Sequence, residues 1–214
     1  MIKAVVYDLD GTLLDTLTTI SGNANAAMSH FGLKCFSKDE YKYFVGDGAK
    51  NLILRMLETA GADEKKYFEP VFAFYNELYN SAPTLDTKPY PGICELVPEI
   101  KDMGIKQAVL SNKPDFATKS AVRGFFGDVF DKVYGGREGV KLKPCPDALH
   151  SLLDELGVSA DECVYVGDTS VDMKTGKSAG AYTVGVLWGF RDRRELEENG
   201  ADVIVIVRRK YSKS

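Results

Sequence analysis

Residues 4–12 read AVVYDLDGT, and this stretch decides the fold of the 214-residue chain. Its first part, AVVY, is a short apolar run typical of a strand buried on both faces. Its second part, DLDGT, is polar and contains glycine, which is typical of a tight loop. The same succession recurs at residues 107–112, QAVLSN, and at residues 163–169, CVYVGDT. We therefore expect several buried strands that each end in a polar loop.

Helical patterns alternate with these strands, which predicts an α/β fold with a doubly wound, Rossmann-like parallel sheet. In such sheets, binding sites form at the carboxyl ends of the strands. The predicted strands cover residues 4–7, 107–110, 163–166, 182–186 and 203–206. The predicted helices between them cover residues 93–101, 117–125, 146–156 and 171–179.

Residues 15–88 carry helical patterns only, at residues 17–31, 38–44, 49–60 and 64–80. We interpret this segment as an all-helical cap domain inserted after the first strand. Residues 1–14 and 89–214 then form the core domain. The Pro- and Gly-rich stretch TKPYPG at residues 87–92 is suited to the exit linker.

The composition is that of an ordinary globular protein, with 44% hydrophobic and 27% charged residues. A net charge of -4 disfavours general binding to nucleic acid or to an anionic membrane surface. The chain lacks the roughly 18-residue apolar run of a membrane span and the layout of a signal peptide. We therefore expect a cytoplasmic protein without a nucleic-acid or membrane partner, and we expect it to be a monomer or a homodimer. The basic residues 208–213 are expected to form a solvated end.

Asp8 and Asp10 follow the first predicted strand, and in a loop both carboxylates can face one pocket. One carboxylate can attack phosphorus to form an acyl phosphate. The other can protonate the departing alkoxide and later take a proton from water. Gly11 would permit the sharp turn that follows. The alternative is a turn with two solvated aspartates, because Asp-Gly turns are common.

Three further segments are expected to place polar groups near Asp8 and Asp10, at the carboxyl ends of the predicted strands. Ser111 and Asn112 follow a strand, where they can hold phosphoryl oxygens or cap the next helix. Lys141 and Lys143 lie at a KPCP motif, where an ammonium can offset phosphoryl charge or stay solvated. Asp168 ends another strand and offers the hard oxygen ligands that Mg²⁺ prefers.

Together, the segments DLDGTLLDT, SN, KLKPCP and GDTSVD resemble those of the haloacid dehalogenase (HAD) superfamily. The similarity is greatest to the phosphoglycolate-phosphatase-like branch with a helical cap, and it covers nearly the whole chain. This resemblance implies a Mg²⁺-dependent phosphatase. It also implies that Asp8 is the nucleophile, that Asp10 is the general acid and base, and that Lys143 stabilises the transferring phosphoryl group.

The resemblance also implies binding roles. Mg²⁺ would be held by the carboxylates of Asp8 and Asp168 and by the backbone carbonyl of Asp10. Asp172, one helical turn after Asp168, would contact the metal through water or hold its ligands in place, and Thr12 would also support the ligands. The residues implied to bind the phosphoryl group are Leu9, Ser111, Asn112 and Lys143.

The residue type at position 10 distinguishes branches of the superfamily. Dehalogenases proper lack an aspartate at this position because a halide leaving group needs no proton, and phosphonate-cleaving members commonly carry Ala there. β-Phosphoglucomutases are similar to this chain. However, they typically carry D-G-V where this chain has Gly11 and Thr12, and His where it has Ile20. The sequence therefore favours a phosphatase.

The cap is expected to select the substrate through residues 44–52, FVGDGAKNL, which resemble the cap loop of phosphoglycolate-phosphatase-like members. Gly48 would let the backbone approach a small ligand. Lys50 would bind a second anionic group of the substrate. Arg55 and Arg191 are further candidates for substrate contact, and each of these cations is equally compatible with a solvated position.

The predicted activity is hydrolysis of a small, phosphoglycolate-like phosphomonoester through an aspartyl-phosphate intermediate. Alternatives within the superfamily are an inorganic pyrophosphatase, a nucleotide or sugar-phosphate phosphatase, and a β-phosphoglucomutase. The non-enzyme alternative is a phospho-receiver or regulatory module, which also has an acidic metal pocket. Receivers are shorter, however, and their phosphorylated aspartate follows a later strand.

Overall fold

The computed structural model describes residues 1–206, so the predicted solvated end at residues 208–213 lies outside the described residues. Within residues 1–206 the strands are β1 (Ala4–Tyr7), β2 (Leu14–Asp15), β3 (Lys88–Pro89), β4 (Lys106–Pro114), β5 (Lys132–Gly136), β6 (Cys163–Gly167), β7 (Tyr182–Val186) and β8 (Val203–Val205). The α-helices are α1 (Leu17–His30), α2 (Lys38–Phe44), α3 (Ala49–Thr59), α4 (Glu64–Ser81), α5 (Ile93–Asp102), α6 (Asp115–Phe126), α7 (Asp147–Leu156), α8 (Ser170–Ala179) and α9 (Arg193–Glu198).

Six strands form one parallel sheet in the order β5-β4-β1-β6-β7-β8. β1 pairs with β4 on one side and with β6 on the other. Successive strands are therefore added first on one side of β1 and then on its other side. This change of side creates the crevice in which doubly wound proteins bind ligands. The predicted doubly wound parallel sheet is therefore confirmed.

The core sheet is covered on both faces, as the apolar strands predict. Ala4 and Val6 of β1 pack in one cluster with helix α7. Val5 and Tyr7 point the opposite way and pack with helices α5 and α6. Successive side chains of a strand alternate between faces, so one short apolar strand contributes to both halves of the core.

Helices α1 to α4 pack around a separate apolar cluster. The chain enters this helical segment at β2 and leaves it at β3, and these two short strands pair antiparallel. The proposed domain boundaries, at residues 14/15 and 88/89, fall within this two-stranded ladder. Ala117 and Phe190 from the core segment join the helical cluster, so the cap rests on the sheet domain through apolar contact.

The sequence patterns missed the short strands β2 and β3, the strand β5 and the helix α9, and strand β4 is longer than predicted. β5 ends in Gly135 and Gly136, and glycine is a weak signal for a strand. These glycines are nevertheless required, because a Cβ on Gly136 would lie 3.2 Å from the backbone oxygen of Asn112. The end of β4, with Asn112, therefore runs close beside β5, and Ser111 and Asn112 lie inside the strand rather than in the loop after it.

Among residues 1–206, no helix combines the length and the apolar character needed to cross a bilayer.

We predict opposite stability effects for alanine at two glycines in helix interiors. In α8, a Cβ on Gly176 would overlap the Thr183 methyl and lie 3.2 Å from the Tyr165 Cβ. Gly176→Ala should therefore lower the free energy of unfolding by about 1–3 kcal/mol, since packing strain exceeds the gain in helix propensity. The control Gly22→Ala in α1 meets no atom within 4 Å and should raise it by about 0.5–1 kcal/mol. Urea unfolding measures both, and equal shifts would contradict the close helix–sheet packing.

Candidate active site

The polar ends of the central strands meet at one edge of the sheet. Asp8 follows β1, and its backbone N–H donates to Val166 of β6 at 2.9 Å. Asp168 follows β6, and Ser111 lies near the end of β4. Lys143, in the loop between β5 and α7, reaches the same point. The structure therefore brings Asp8, Lys143 and Asp168 into one buried cluster, as the strand-end pattern predicts.

Lys143 forms a buried ion network with two aspartates. Its ammonium lies 2.8 Å from Asp8 Oδ1 and 2.7 Å from Asp172 Oδ1, and its side chain is 2% exposed. Burial opposes the charge on Lys143, but Asp172 and Asp8 overcome this effect and raise its pKa well above the usual range. The charged ammonium form of Lys143 is therefore favoured at the site.

Asn112 fixes the loop that carries Lys143. Its side-chain oxygen accepts from the Lys143 backbone N–H at 2.8 Å, and its side-chain nitrogen donates to the Lys143 carbonyl at 3.0 Å. The same nitrogen lies 3.3 Å from the carbonyl of Gly46 in the cap. Asn112 was predicted to bind the phosphoryl group; it lines the cleft, and its side-chain amide also holds the Lys143 backbone in place.

Asp168 is fully buried and held by two donors. The Thr12 hydroxyl donates to its Oδ1 at 3.0 Å, and the Phe190 backbone N–H donates to its Oδ2 at 2.8 Å. Gly11 has a φ of +92°, and a Cβ there would lie 2.7 Å from the Asp168 Cγ. A Cβ on Gly189 would also overlap the Asp168 side chain. The two glycines thus let two loops close around one carboxylate.

Asp172 is held on both of its oxygens. Lys143 contacts Oδ1, while the hydroxyl of Thr169 donates to Oδ2 at 2.7 Å. The backbone N–H of Thr169 also donates to Oδ2, at 3.1 Å. Asp172 therefore acts as an anchor for Lys143 and for the start of helix α8.

A cleft opens over Asp8 between the sheet edge and the helical cap. Its volume is about 620 Å³ including the part open to solvent. The core side contributes Asp8, Asp10, Ser111, Asn112, Lys113, Pro114 and Phe190. The cap side contributes Ile20, Val45, Gly46, Gly48, Ala49, Leu52, Tyr75, Asn76 and Tyr79. The cap wall is thus mostly apolar, and the charged groups lie on the core side.

A sequence model of the haloacid dehalogenase-like hydrolases matches residues 5–186, which include every strand of the sheet except β8. The chain belongs to the haloacid dehalogenase-like hydrolase family. The membership inferred from the residue motifs is thereby confirmed.

Two curated relatives align with this hydrolase over most of the length of both chains. A phosphoglycolate phosphatase of Neisseria meningitidis is 30% identical over 203 residues, covering 94% of this chain and 86% of the relative. A phosphoglycolate phosphatase of Rhodospirillum rubrum is 32% identical over 197 residues, covering 89% and 81%. A solved structure from Lactobacillus delbrueckii, provisionally named a phosphoglycolate phosphatase, superposes with a TM-score of 0.86 at 30% identity. That superposition covers 96% of this chain and 94% of the other.

The acidic cluster of this hydrolase fits a hard divalent cation. Asp8, Asp168 and Asp172 each offer a carboxylate oxygen, and these atoms lie within 4.8 Å of one another. Three carboxylates around the single ammonium of Lys143 leave an excess of two negative charges. Within residues 1–206, Asp172 accepts four hydrogen bonds from protein donors, whereas Asp168 accepts two and Asp8 contacts only Lys143. Asp8 and Asp168 therefore keep more oxygen lone pairs for a cation and are the better placed carboxylate ligands.

Burial and the neighbouring negative charges raise the pKa values of two of these aspartates. Burial raises the pKa of Asp8 to about 7, and Asp172 adds to this shift while Lys143 opposes it. Burial also raises the pKa of Asp168 well above its usual range, with Asp172 and Asp8 adding to the effect. A bound cation would remove this penalty by neutralising the carboxylates.

Lys113 is a site residue that the sequence reasoning missed. Its ammonium lies 3.0 Å from Asp10 Oδ1 and donates to the hydroxyl of Tyr79 in cap helix α4. Its side chain is only 2% exposed. Its position directly after Ser111 and Asn112 was the available signal, since all three side chains belong to the same strand end.

The three cations considered for substrate contact have other neighbours in the structure. Lys50 is exposed, does not line the cleft, and lies 5.9 Å from the Phe68 ring centroid. Arg55 pairs with Asp47 and donates to a cap carbonyl. Arg191 donates to the Val45 carbonyl at 2.9 Å and so links core to cap. Gly48, in contrast, lines the cleft as expected.

The side chain of Leu9 is fully buried in the core, so only its backbone can face a phosphoryl group.

We predict that the raised pKa of Asp8 makes the metal-free protein less stable as pH rises. Its folded pKa of about 7 exceeds the ordinary 3.8, so the folded state binds more protons than the unfolded state between these values. Between about pH 6 and pH 8, Asp8 should lower the free energy of unfolding by about 1 kcal/mol. Urea unfolding in chelator at both pH values measures this difference.

Asp8→Asn should flatten this pH dependence, and the control Asp102→Asn, at an exposed position, should not change it. The raised pKa of Asp168 also lowers the free energy of unfolding as pH rises, and this effect remains in both variants. An Asp8→Asn protein with the full wild-type slope would contradict the assignment of the shift to Asp8.

Proposed function

We propose that the protein is a Mg²⁺-dependent phosphatase that hydrolyses a small, phosphoglycolate-like phosphomonoester through an aspartyl phosphate on Asp8. The chain is a phosphatase by its family and by relatives that are about 30% identical over most of its length. One observation carries the proposed mechanism. The buried Asp8 carboxylate lies beside a fixed ammonium at the base of a cleft, and Asp10 lines the same cleft.

In the first step, an Asp8 carboxylate oxygen attacks phosphorus and the bond from phosphorus to the ester oxygen breaks. Asp10 donates a proton to the departing oxygen, so that an alcohol leaves rather than an alkoxide. Lys143 stabilises the negative charge on the transferring group, because its ammonium is already held 2.8 Å from Asp8.

In the second step, water attacks the phosphorus of the aspartyl phosphate and Asp10 accepts its proton. The bond between phosphorus and the Asp8 oxygen breaks, which releases inorganic phosphate and restores the carboxylate. Contacts between cap and core, such as Arg191 with Val45, are compatible with a cap that closes over the first step.

The phosphoryl oxygens would be held by the Ser111 hydroxyl, by Lys143 and by backbone N–H groups of the loop after β1. Mg²⁺, ligated by Asp8, Asp168 and the Asp10 carbonyl, would supply positive charge that offsets the phosphoryl oxygens. Asp172 and Thr12 would position these groups without touching substrate, as their hydrogen bonds indicate. Asn112, which lines the cleft, would bind the phosphoryl group and also hold the Lys143 backbone.

Several observations favour a small substrate over the alternatives. The cap wall of the cleft carries the apolar Ile20, where the β-phosphoglucomutases typically carry a His. The relatives named above are phosphoglycolate phosphatases. Inorganic pyrophosphate, nucleotides and sugar phosphates remain the competing substrates in a test. A phospho-receiver is no longer an alternative, because the matched family consists of hydrolases.

We predict that Asp8→Asn lowers phosphate release by at least about 1,000-fold, since it removes the nucleophile while the amide keeps the shape of the side chain. The assay is phosphate release with Mg²⁺ from phosphoglycolate, pyrophosphate, a mononucleotide and a sugar phosphate. Phosphoglycolate should give the highest kcat/KM.

Asp102→Asn is the matched control and should retain wild-type turnover. Turnover by Asp8→Asn at the wild-type rate would remove Asp8 as the nucleophile. A higher kcat/KM with another substrate would support the phosphatase activity but contradict the proposal that phosphoglycolate is the preferred substrate.

We also predict that Mg²⁺ stabilises the folded protein through Asp168. At a concentration ten times the dissociation constant, binding adds about 1.4 kcal/mol, which corresponds to roughly 2–6 °C in Tm for a chain of this size. Differential scanning fluorimetry with Mg²⁺ and with chelator measures the shift. Asp168→Asn should lose it, whereas Asp102→Asn should keep it. An unchanged shift in Asp168→Asn would exclude Asp168 as a ligand.

A further inference from the structure

Lys113 is the only positively charged side chain among the described residues that line the cleft. The mechanism above does not use it, because Lys143 and the proposed Mg²⁺ would face the phosphoryl group. A lysine with a side chain 2% exposed is costly to bury unless it has charged partners. Its charged partner here is Asp10, at 3.0 Å, and it also donates to the Tyr79 hydroxyl.

The contacts of Lys113 place it on the leaving-group side of the site. Asp10 is the group that must reach the departing ester oxygen, and Tyr79 belongs to the cap wall opposite the phosphoryl pocket. Its backbone is fixed at the strand end, where the N–H donates to Ser111 Oγ and the carbonyl accepts from Thr118. Lys113 therefore extends from the phosphoryl side of the cleft toward the space that the leaving alcohol occupies.

Hydrogen-bond lengths limit which substrate atoms Lys113 can reach. A departing oxygen that accepts from Asp10 lies about 2.7 Å from it. The Lys113 ammonium is 3.0 Å from the same carboxylate, so it lies within roughly 6 Å of that oxygen. An anionic group on the carbon next to the ester carbon falls within this distance. An anionic group at the far end of a long alcohol would lie beyond it.

The ammonium also retains a donor for a ligand. It has three N–H bonds, and its acceptors within residues 1–206 are Asp10 and Tyr79. Asn76 lines the cleft one helical turn before Tyr79 and can add a neutral hydrogen bond to the same ligand group.

We propose that Lys113 is the specificity-determining residue that binds the negative group of the leaving alcohol and so selects phosphomonoesters of short 2-hydroxy carboxylates. This inference rests on the proposed phosphatase function. The simpler alternative is that Lys113 only positions Asp10. The two roles differ in one respect: a positioning role affects all phosphomonoesters equally, whereas recognition affects those with an anionic leaving group.

The test compares two esters of nearly equal size, phosphoglycolate and 2-hydroxyethyl phosphate, in which CH₂OH replaces the carboxylate. Wild-type protein should prefer phosphoglycolate in kcat/KM. Lys113→Met should lower that preference by about 10- to 100-fold, chiefly through KM, because one charge-assisted hydrogen bond is lost. The exposed Lys141→Met is the matched control and should keep the wild-type preference. Lys113→Arg retains the charge and should restore part of it.

Equal losses for both esters in Lys113→Met, or a wild-type protein without preference, would overturn the recognition role and leave the phosphatase function intact. A wild-type protein that releases phosphate from neither ester nor from any other phosphomonoester would overturn both proposals.

If Lys113→Met fails to fold, inhibition of the wild-type protein decides the question. Glycolate should then inhibit turnover of 2-hydroxyethyl phosphate at least tenfold more strongly than ethylene glycol does, and equal inhibition would overturn the role of Lys113.

Discussion

The buried contact of the Lys143 ammonium with Asp8 and Asp172 is the interaction on which the rest of the site depends. One cation among three carboxylates leaves the cluster with excess negative charge, which burial makes costly. This excess is the physical reason to propose a divalent cation at the site. The surrounding structure serves to hold the cluster in place. Asn112 fixes the Lys143 loop, and Asp168 is clamped by donors from two loops.

The site is divided between the two structural units. The sheet edge supplies nearly all of the charge, and the cap supplies a mostly apolar wall with Tyr75, Asn76 and Tyr79 as its polar side chains. Lys113 lies where the two units meet, since it is anchored in β4 and contacts Tyr79 of α4. In the proposed mechanism, the core side of the cleft carries out the phosphoryl chemistry, and Lys113 at the boundary with the cap binds the leaving alcohol.

Much of the fold could be predicted because its signals are local. Apolar strands buried on both faces and helices of ten or more residues are visible in short windows of sequence. β1 and cap helix α2 have the predicted bounds, and α1 differs from its prediction by one residue. β5 and α9 escaped prediction because one contains two glycines and the other has only six residues. Their stability comes from packing against neighbours, which a local pattern does not record.

The sequence by itself determined where most strands of the main sheet lie along the chain and which polar side chains stand near their ends, because both follow from local apolar patterning. Only the tertiary structure decided which of these side chains touch. Lys113 and Asp10 are 103 positions apart, and Thr12 and Asp168 are 156 apart. Such contacts depend on strand order within the sheet and on how the cap rests over it. For the same reason, Lys50 was favoured as the substrate cation from sequence, whereas the folded chain brings Lys113 into the cleft.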